Sequence, residues 1–584
     1  MNPSRTCTFL AAALALAGLA VTGVVGQEGT PAVVETARVN VVNVDVVVTG
    51  RDGRPVQGLT AADFDLFEDG NPVPITNFYA ATRERPAATP TAPADGAAEE
   101  VVAAPPSEEQ SLRMVFFIDN ANLTLARRAA VFEQIRALLR QGLRSGRTQV
   151  LLATSGGAVR VRQPFTADEN TLLASVERLE RETGEARLGA DRDPFLARMI
   201  SAGSTDSSEP GTGGRGRLRQ DFEKENALSI REQALSAAEQ AYQQTKVTLS
   251  ALTQFIDSLA GLAGRKALVY VGEGVPMRPG EALLKEWEAT FRRYDPTFNA
   301  VAEAGRFTVG REFGELLRRA NSARVTFYCV DASADAGSAG VSAEQAFMTA
   351  DPTSAIMSAA SLRQSLESMA AVTGGRTLAA GPGLAAALAS TVEDLGAYYS
   401  LGYEAPHLGD GKYHVITVKV KRENVRVRHR EGYVDNPPDA RSVERNLSAL
   451  MFEGASNPLG LTIAISPGER QKGDTFQVTV TVTVPLGNLM FLPRGAVHEG
   501  SVSLWLATRD AEDRLSVPAK QVFPVRVPND KLQTALGQTG SFVFKMIVRP
   551  GNQRVAVTVR DDLGQTESTA VAPFAPEQPA PGSS

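Results

Sequence analysis

The segment that most constrains this chain is Met114-Val115-Phe116-Phe117-Ile118, five consecutive large apolar residues closed by Asp119. A half-covered strand alternates apolar and polar side chains, whereas an unbroken apolar run needs cover on both faces, as in a parallel sheet sandwiched by helices. Parallel strands require a crossover, usually a helix. One is predicted next, because Leu125, Val131, Phe132, Ile135, Leu138 and Leu139 recur near helical spacing up to Gly142, a C-terminal breaker. Residues 149–153 and 158–161 read as short strands around the turn Ser155-Gly156-Gly157, followed by a helix over 169–181. Further strands are predicted over 266–271, 324–330 and 376–378, with helical stretches over 313–320 and 362–372. This alternation predicts a doubly wound α/β domain with a mostly parallel sheet over residues 112–395. It carries insertions at 184–220, expected as a Gly-, Ser- and Arg-rich surface loop, and at 334–358, small and polar. Residues 221–262 lack Pro and are rich in Ala, Gln, Glu and Leu, which fits one long helix or two shorter ones.

β structure is predicted on both sides. Val42, Val44, Val46 and Val48 fall on one face of an extended segment with Asn43 and Asp45 opposite, and Asp52-Gly53 and Asp69-Gly70 supply turns. Residues 35–80 therefore read as a small β module, and 81–111, dominated by Ala, Pro, Thr and Glu, as a disordered linker. After the α/β domain, β hairpin segments are predicted over 396–435, packing with 35–80. Residues 455–572 carry the short, regularly spaced strands of an Ig-like β-sandwich, and 573–584 read as a disordered tail. At the other end, Arg5, an apolar run over 9–25 and small residues up to Gly26 form a Sec signal-peptide pattern over 1–26, with an uncleaved membrane anchor as the rival reading. Cleavage would leave Cys329 as the sole cysteine and no intrachain disulfide. A formal net charge of −6 over 584 residues gives no electrostatic case for nucleic acid.

The order of elements, with Asp119 ending the first α/β strand, resembles the von Willebrand factor A fold, and within it the VWFA-related family of bacterial exported proteins. The resemblance is carried by residues 42–78 with Leu66-Phe67-Glu68-Asp69-Gly70, by Phe117-Ile118-Asp119-Asn120, and by residues 398–433 with Leu401-Gly402-Tyr403 and Glu431-Gly432-Tyr433. It implies a divalent cation at the C-terminal edge of the sheet, held by a D-x-S-x-S motif, a Thr from a later loop and a further Asp. Asp119 matches the first ligand, but Ala121 and Leu123 stand at the two Ser positions and offer no side-chain oxygen. Gly272-Glu273-Gly274 stands where family members show Ser or Thr followed by Asp-Gly. A vestigial site is therefore expected. Asp119, Asn122 and Glu273 are the residues left to hold Mg²⁺ or Ca²⁺, which want hard oxygen ligands. The competing reading has Asp119 accepting hydrogen bonds from Asn122, Thr124 or loop amides, since a buried unpaired carboxylate is costly.

Enzyme signals are weak. His407, His414, His429 and His498 show no zinc-binding spacing, residues 211–217 lack the Gly-Lys-Ser/Thr ending of a phosphate loop, and Cys329 sits inside an apolar strand. Lys419, Lys421, Arg422, Arg426, Arg428 and Arg430 are expected to line a solvated strand face, with an anionic partner as the alternative. The reading is an exported, non-catalytic binding or scaffolding protein without cofactor. It would recognise a protein or extracellular ligand through Asp119, Asn120, Asn122, Thr124, Gly272 and Glu273 and the turn at 155–157. The alternative is a metal-dependent adhesion module with its cation at Asp119.

Overall fold

The computed structural model describes residues 41–81, 112–181, 196, 199–200 and 214–577, apart from breaks at 121–122, 124, 143–147, 157–158, 333–351, 380–383, 408, 453–454 and 513. The expected signal peptide, nearly all of the linker and most of both insertions lie outside the described residues, as do Asn122 and Thr124.

Four strands come first: β1 (Val41–Gly50), β2 (Phe64–Glu68), β3 (Asn71–Val73) and β4 (Asn77–Ala81). Then follows the central sheet of β5 (Leu112–Asp119), β6 (Thr148–Ser155), β7 (Val159–Thr166), β8 (Arg265–Gly272), β9 (Val325–Asp331) and β10 (Arg376–Ala379). Its order is β10-β9-β8-β5-β6-β7, parallel except for β7, which lies antiparallel on β6. The chain steps outward from β5 to β7 and then returns to the other flank of β5, so β5 and β8 bracket the switch point where ligands of open α/β sheets bind.

The apolar run of β5 explains this placement. Met114, Phe116 and Ile118 enter one core with Phe132 and Ile135 of α1 (Leu125–Gly142) and Leu172 and Val176 of α2 (Glu169–Arg181). Val115 and Phe117 enter the opposite core with Leu252 and Ile256 of α3 (Gly214–Ala260). α3 is a single 47-residue helix, about 70 Å long. It begins inside the stretch expected as a loop, so residues 214–220 are helical, a correction to the 184–220 insertion. Its first half packs on two helices that the apolar pattern did not reveal, α4 (Glu281–Phe291) and α5 (Ala300–Ala304), around Trp287. Gly280, at φ 84°, permits the approach, because a Cβ there would lie 2.3 Å from that of Ala238. α6 (Gly310–Ser322) and α7 (Pro352–Thr373) complete that face, and α8 (Leu384–Gly396) covers the other.

The chain then returns to its first module through β11 (Tyr398–Glu404), β12 (Tyr413–Val420), β13 (Val425–Arg428) and β14 (Gly432–Val434). Two antiparallel sheets result, β13-β1-β11-β4 and β14-β12-β2-β3, closed over Val42, Val44, Val46, Val48, Tyr399, Leu401 and Tyr403. β12 and β13 were expected as a hairpin. Instead β12 pairs with β2 and β14 while β13 pairs with β1, and Asn424 at φ 60° carries the chain between the sheets. The basic stripe divides accordingly. Lys419, Lys421 and Arg426 are exposed. Arg430 is not on a solvated face: its guanidinium donates to the carbonyls of Asn43 and Asn321, both at 2.9 Å.

This joint clamps the sandwich to the base of the α/β sheet. Asp45 of β1 pairs with Arg265 (3.3 Å) and Arg324 (3.1 Å), which stand at the starts of β8 and β9. Burial opposes ionisation of Asp45, but the two guanidiniums outweigh it and hold the carboxyl below its ordinary pKa.

A helix not foreseen from the sequence, α9 (Pro438–Met451), leads into the C-terminal sandwich. There β15 (Thr462–Ile465), β16 (Glu469–Gln471), β17 (Thr475–Pro485) and β21 (Thr539–Val548) form one antiparallel sheet. The other contains β18 (Leu492–Arg494), β19 (Val497–Arg509), β20 (Ala519–Pro528), β22 (Gln553–Asp561) and β23 (Glu567–Phe574). Pro573 and Phe574, expected in the disordered tail, close β23, and the Pro576 carbonyl accepts the Gly468 N–H. Asn446 of α9 donates to the carbonyls of Trp505 and Ala556, and Ser448 Oγ accepts from Gly261 N, just beyond α3, and donates to the Ser258 carbonyl in the last turn of that helix. α9 thus pins the sandwich to the α/β domain. Among the described residues no helix is long and apolar enough to cross a membrane.

Candidate functional site

Asp119, Ser155, Gly272 and Asp331 end four adjacent strands of the central sheet and form its C-terminal rim. Eight residues of β8 separate this rim from the Asp45 joint, roughly 25 Å at the rise of a strand. Asp119 is only 1% exposed, and the Tyr270 hydroxyl donates to its Oδ2. Tyr270 is in turn stacked on Phe117, ring centroids 5.9 Å apart, so packing fixes the donor. Asp331 accepts from Arg363 Nε of α7 at 2.9 Å.

Gly272 and Glu273 reach the switch point beside Asp119, but Glu273 is 1% exposed and Gly272 is buried. α7 covers the loop that follows. Val275 N donates to Ser365 Oγ at 2.8 Å, and Gly274, at φ 108°, lies so close to the Leu362 carbonyl that a Cβ would meet it at 2.3 Å. Gly272 and Glu273 are therefore built into the rim rather than displayed on it. Asn120 is partly exposed, its N–H donating to the Ser155 carbonyl at 3.0 Å, and Gly156 is exposed.

Among the described residues, those around Asp119 do not fit a cation of the implied kind. Leu123, at a position where a hydroxyl would be needed, is 3% exposed and belongs to the core beneath α1. The Tyr270 hydroxyl gives one oxygen of Asp119 a proton donor, so that oxygen needs no cation to be satisfied. Cys329 is fully buried in β9, and burial pushes its thiol far above the ordinary range.

A second constellation lies in the first sandwich. His407 and His414 stack with ring centroids 3.7 Å apart and planes 11° from parallel, amid Glu68, Asp69, Asp410 and Asp435. The backbone N–H of Lys412 and the His414 ring hold the Asp410 carboxyl down at about 2. Burial pulls His414 down, but Asp69 and Asp410 outweigh it and raise its pKa. No motif spacing announces the group. It is assembled by the β2–β12 register, which sets Glu68 opposite Ile416 and thus near His414, and by the 405–412 loop.

No family model matches the chain. No curated protein matches it either. Solved structures that it resembles include a PilB minor pilin from Streptococcus sanguinis, at 10% identity over 50% of this chain and 62% of that one, TM-score 0.24. A von Willebrand factor type A protein from Catenulispora acidiphila matches at 9% identity over 79% and 66% of the two chains, TM-score 0.20. BatB from Bacteroides thetaiotaomicron matches at 10% identity over 49% and 98%, TM-score 0.20. The chain spans less than two thirds of the pilin and of the von Willebrand factor type A protein. Superpositions this loose leave the fold to be argued from strand order and packing.

Proposed function

We propose that this is an exported, non-catalytic binding or scaffolding protein of the cell envelope, whose von Willebrand factor A-like domain presents its rim to a protein or extracellular ligand. The observation that carries the reading is the clamp of Asp45 on Arg265 and Arg324. It ties the base of the sheet to the first sandwich and leaves the opposite end, where strand order creates the switch point, facing away from that joint. Two antiparallel sandwiches flank the domain and serve as spacers. The N-terminal signal pattern supports export, and the near-balanced charge supports a partner other than nucleic acid. Recognition falls to Asn120, Asn122, Thr124 and Gly156 rather than to the covered Gly272 and Glu273.

A photo-crosslinking side chain placed at Gly156, in protein mixed with native envelope extract, tests this. A discrete adduct that excess unlabelled protein competes away, and that is absent with the same probe at exposed Arg470 in the far sandwich, is the expected result. Equal labelling at both positions, or none at Gly156, overturns it. Calorimetric titration with millimolar Mg²⁺ separates the adhesion alternative: silence is expected, and heat that vanishes in Asp119→Ala would replace this reading with a metal-dependent one.

A further inference from the structure

We propose that Glu68, His407, His414 and Asp410 form a binding site for one transition cation of the zinc class, with Asp435 and Asp69 orienting the two imidazoles. The argument rests on where the ring protons are. His407 Nδ1 lies 2.8 Å from Asp435 Oδ2, and His414 Nδ1 lies 2.8 Å from Asp69 Oδ2. Both carboxylates are fixed by backbone donors, Asp435 by Gly409 N at 2.5 Å and Asp69 by Val415 N at 2.8 Å. Each ring therefore gives its proton at Nδ1 to a carboxylate, the arrangement that orients a metal-ligating histidine and makes it a better donor.

That tautomer leaves a lone pair on each Nε2. His407 Nε2 stands 3.2 Å from Glu68 Oε1, and His414 Nε2 stands 3.2 Å from Asp410 Oδ1. With neutral rings, each contact sets a lone pair against an anion. A second proton on one ring relieves that ring's contact alone, and a second proton on both sets two imidazolium cations face to face at 3.7 Å. One dication bound by the two Nε2 atoms and the Glu68 carboxylate leaves the rings neutral, and Asp410, 3.2 Å from His414 Nε2, is the neighbouring carboxylate that completes the shell on closing in.

The surroundings suit it. Ligand atoms of Glu68, His407 and His414 already lie within 4.8 Å of one another. Tetrahedral zinc needs ligand separations of about 3.3 Å, given its bond lengths near 2 Å. Glu68, 3% exposed, is held by the Tyr403 and Tyr433 hydroxyls, each 2.7 Å from Oε1. His407 and Asp410 are partly exposed and leave a path for entry. Two imidazoles with carboxylates favour zinc and its neighbours over Mg²⁺ or Ca²⁺, which take oxygen alone. Bound there, the cation ties the 405–412 loop to β2 and β12 and stiffens the module that holds the base of the α/β domain.

The test uses the chain lacking residues 1–26, stripped with chelator and titrated with Zn²⁺ by calorimetry, with bound metal counted by mass spectrometry. One Zn²⁺ per chain and a raised melting temperature are expected, with Co²⁺ giving the visible absorption of a tetrahedral site. His407→Ala should weaken Zn²⁺ binding more than tenfold, as should Asp410→Asn, which alters an exposed loop and keeps the test valid if the first variant misfolds. Asp119→Ala should bind like the wild type. Absence of stoichiometric Zn²⁺, or unchanged affinity in both cluster variants, overturns the proposal.

Discussion

Replacing Lys266 with Met should stabilise the protein at pH 6 and stop doing so near pH 9.5. Lys266, the second residue of β8, is 3% exposed and donates from Nζ to the Leu262 carbonyl at 2.6 Å. Burial first, and then the positive charges of Arg324 and Arg113, pull its pKa from 10.5 to about 7. A fall of that size is worth about 5 kcal/mol against the charged form. At pH 6 the amine is protonated in both folded and unfolded chains, so the whole penalty is felt. Between about 7 and 10.5 the folded protein releases the proton while the unfolded chain keeps it, and wild-type stability climbs by up to about 1.4 kcal/mol per pH unit. Met fills similar space without charge but loses a hydrogen bond from a charged donor, worth about 1.5–3 kcal/mol. The net gain at pH 6 is therefore about 2–3 kcal/mol, and the climb of about 3 kcal/mol in wild-type stability up to pH 9.5 cancels it or slightly reverses it. Urea denaturation followed by tryptophan fluorescence, with Trp287 reporting on the α/β domain, measures both values. A Met variant less stable than wild type at both pH values, with the same pH slope, would refute the assignment of a destabilising buried charge.

Two further outcomes follow from the joints. Asp45→Asn removes the negative charge that faces Arg265 and Arg324 and should cost roughly 3 kcal/mol in the same denaturation assay; because the native carboxyl is held below its ordinary pKa, the wild type should lose this advantage as pH falls below about 4. Asn446→Ala leaves the buried carbonyls of Trp505 and Ala556 without their donor and should cost about 2 kcal/mol, detected as earlier proteolytic release of the C-terminal sandwich.

What could be read from the sequence followed from how strongly burial marks a segment. Residues 114–118 declared a strand covered on both faces, and β5 has cores on both sides. The alternating valines of β1 declared one buried face, and Val42, Val44, Val46 and Val48 occupy it. α9 escaped notice because Ser442, Asn446 and Ser448 are among its buried residues, so its inner side looks polar in a linear pattern. α4 and α5 escaped because they pack on a satellite core beside α3 rather than on the sheet. At the rim, Asp119 was identifiable as a strand-ending acid, but its Tyr270 partner was not, since it stands 151 positions further along the chain. The histidine cluster was only partly legible: His407, Asp410 and His414 share one short stretch, but Glu68 joins them only through the register of β2 on β12.

The interrupted first sandwich has a consequence for how the chain is made. Glu68 and His407 touch although 339 residues separate them. At a synthesis rate of about 5–20 residues per second, β1 to β4 exist for tens of seconds before the strands that complete their sheets. Through that interval the valines of β1 and the open edge of β2 lack the strands that pair with them, so the earliest-made strands finish folding only after the α/β domain has been synthesised. The risk of mispairing falls at the beginning of the polypeptide, where a holding chaperone or the delay of export would have to cover it.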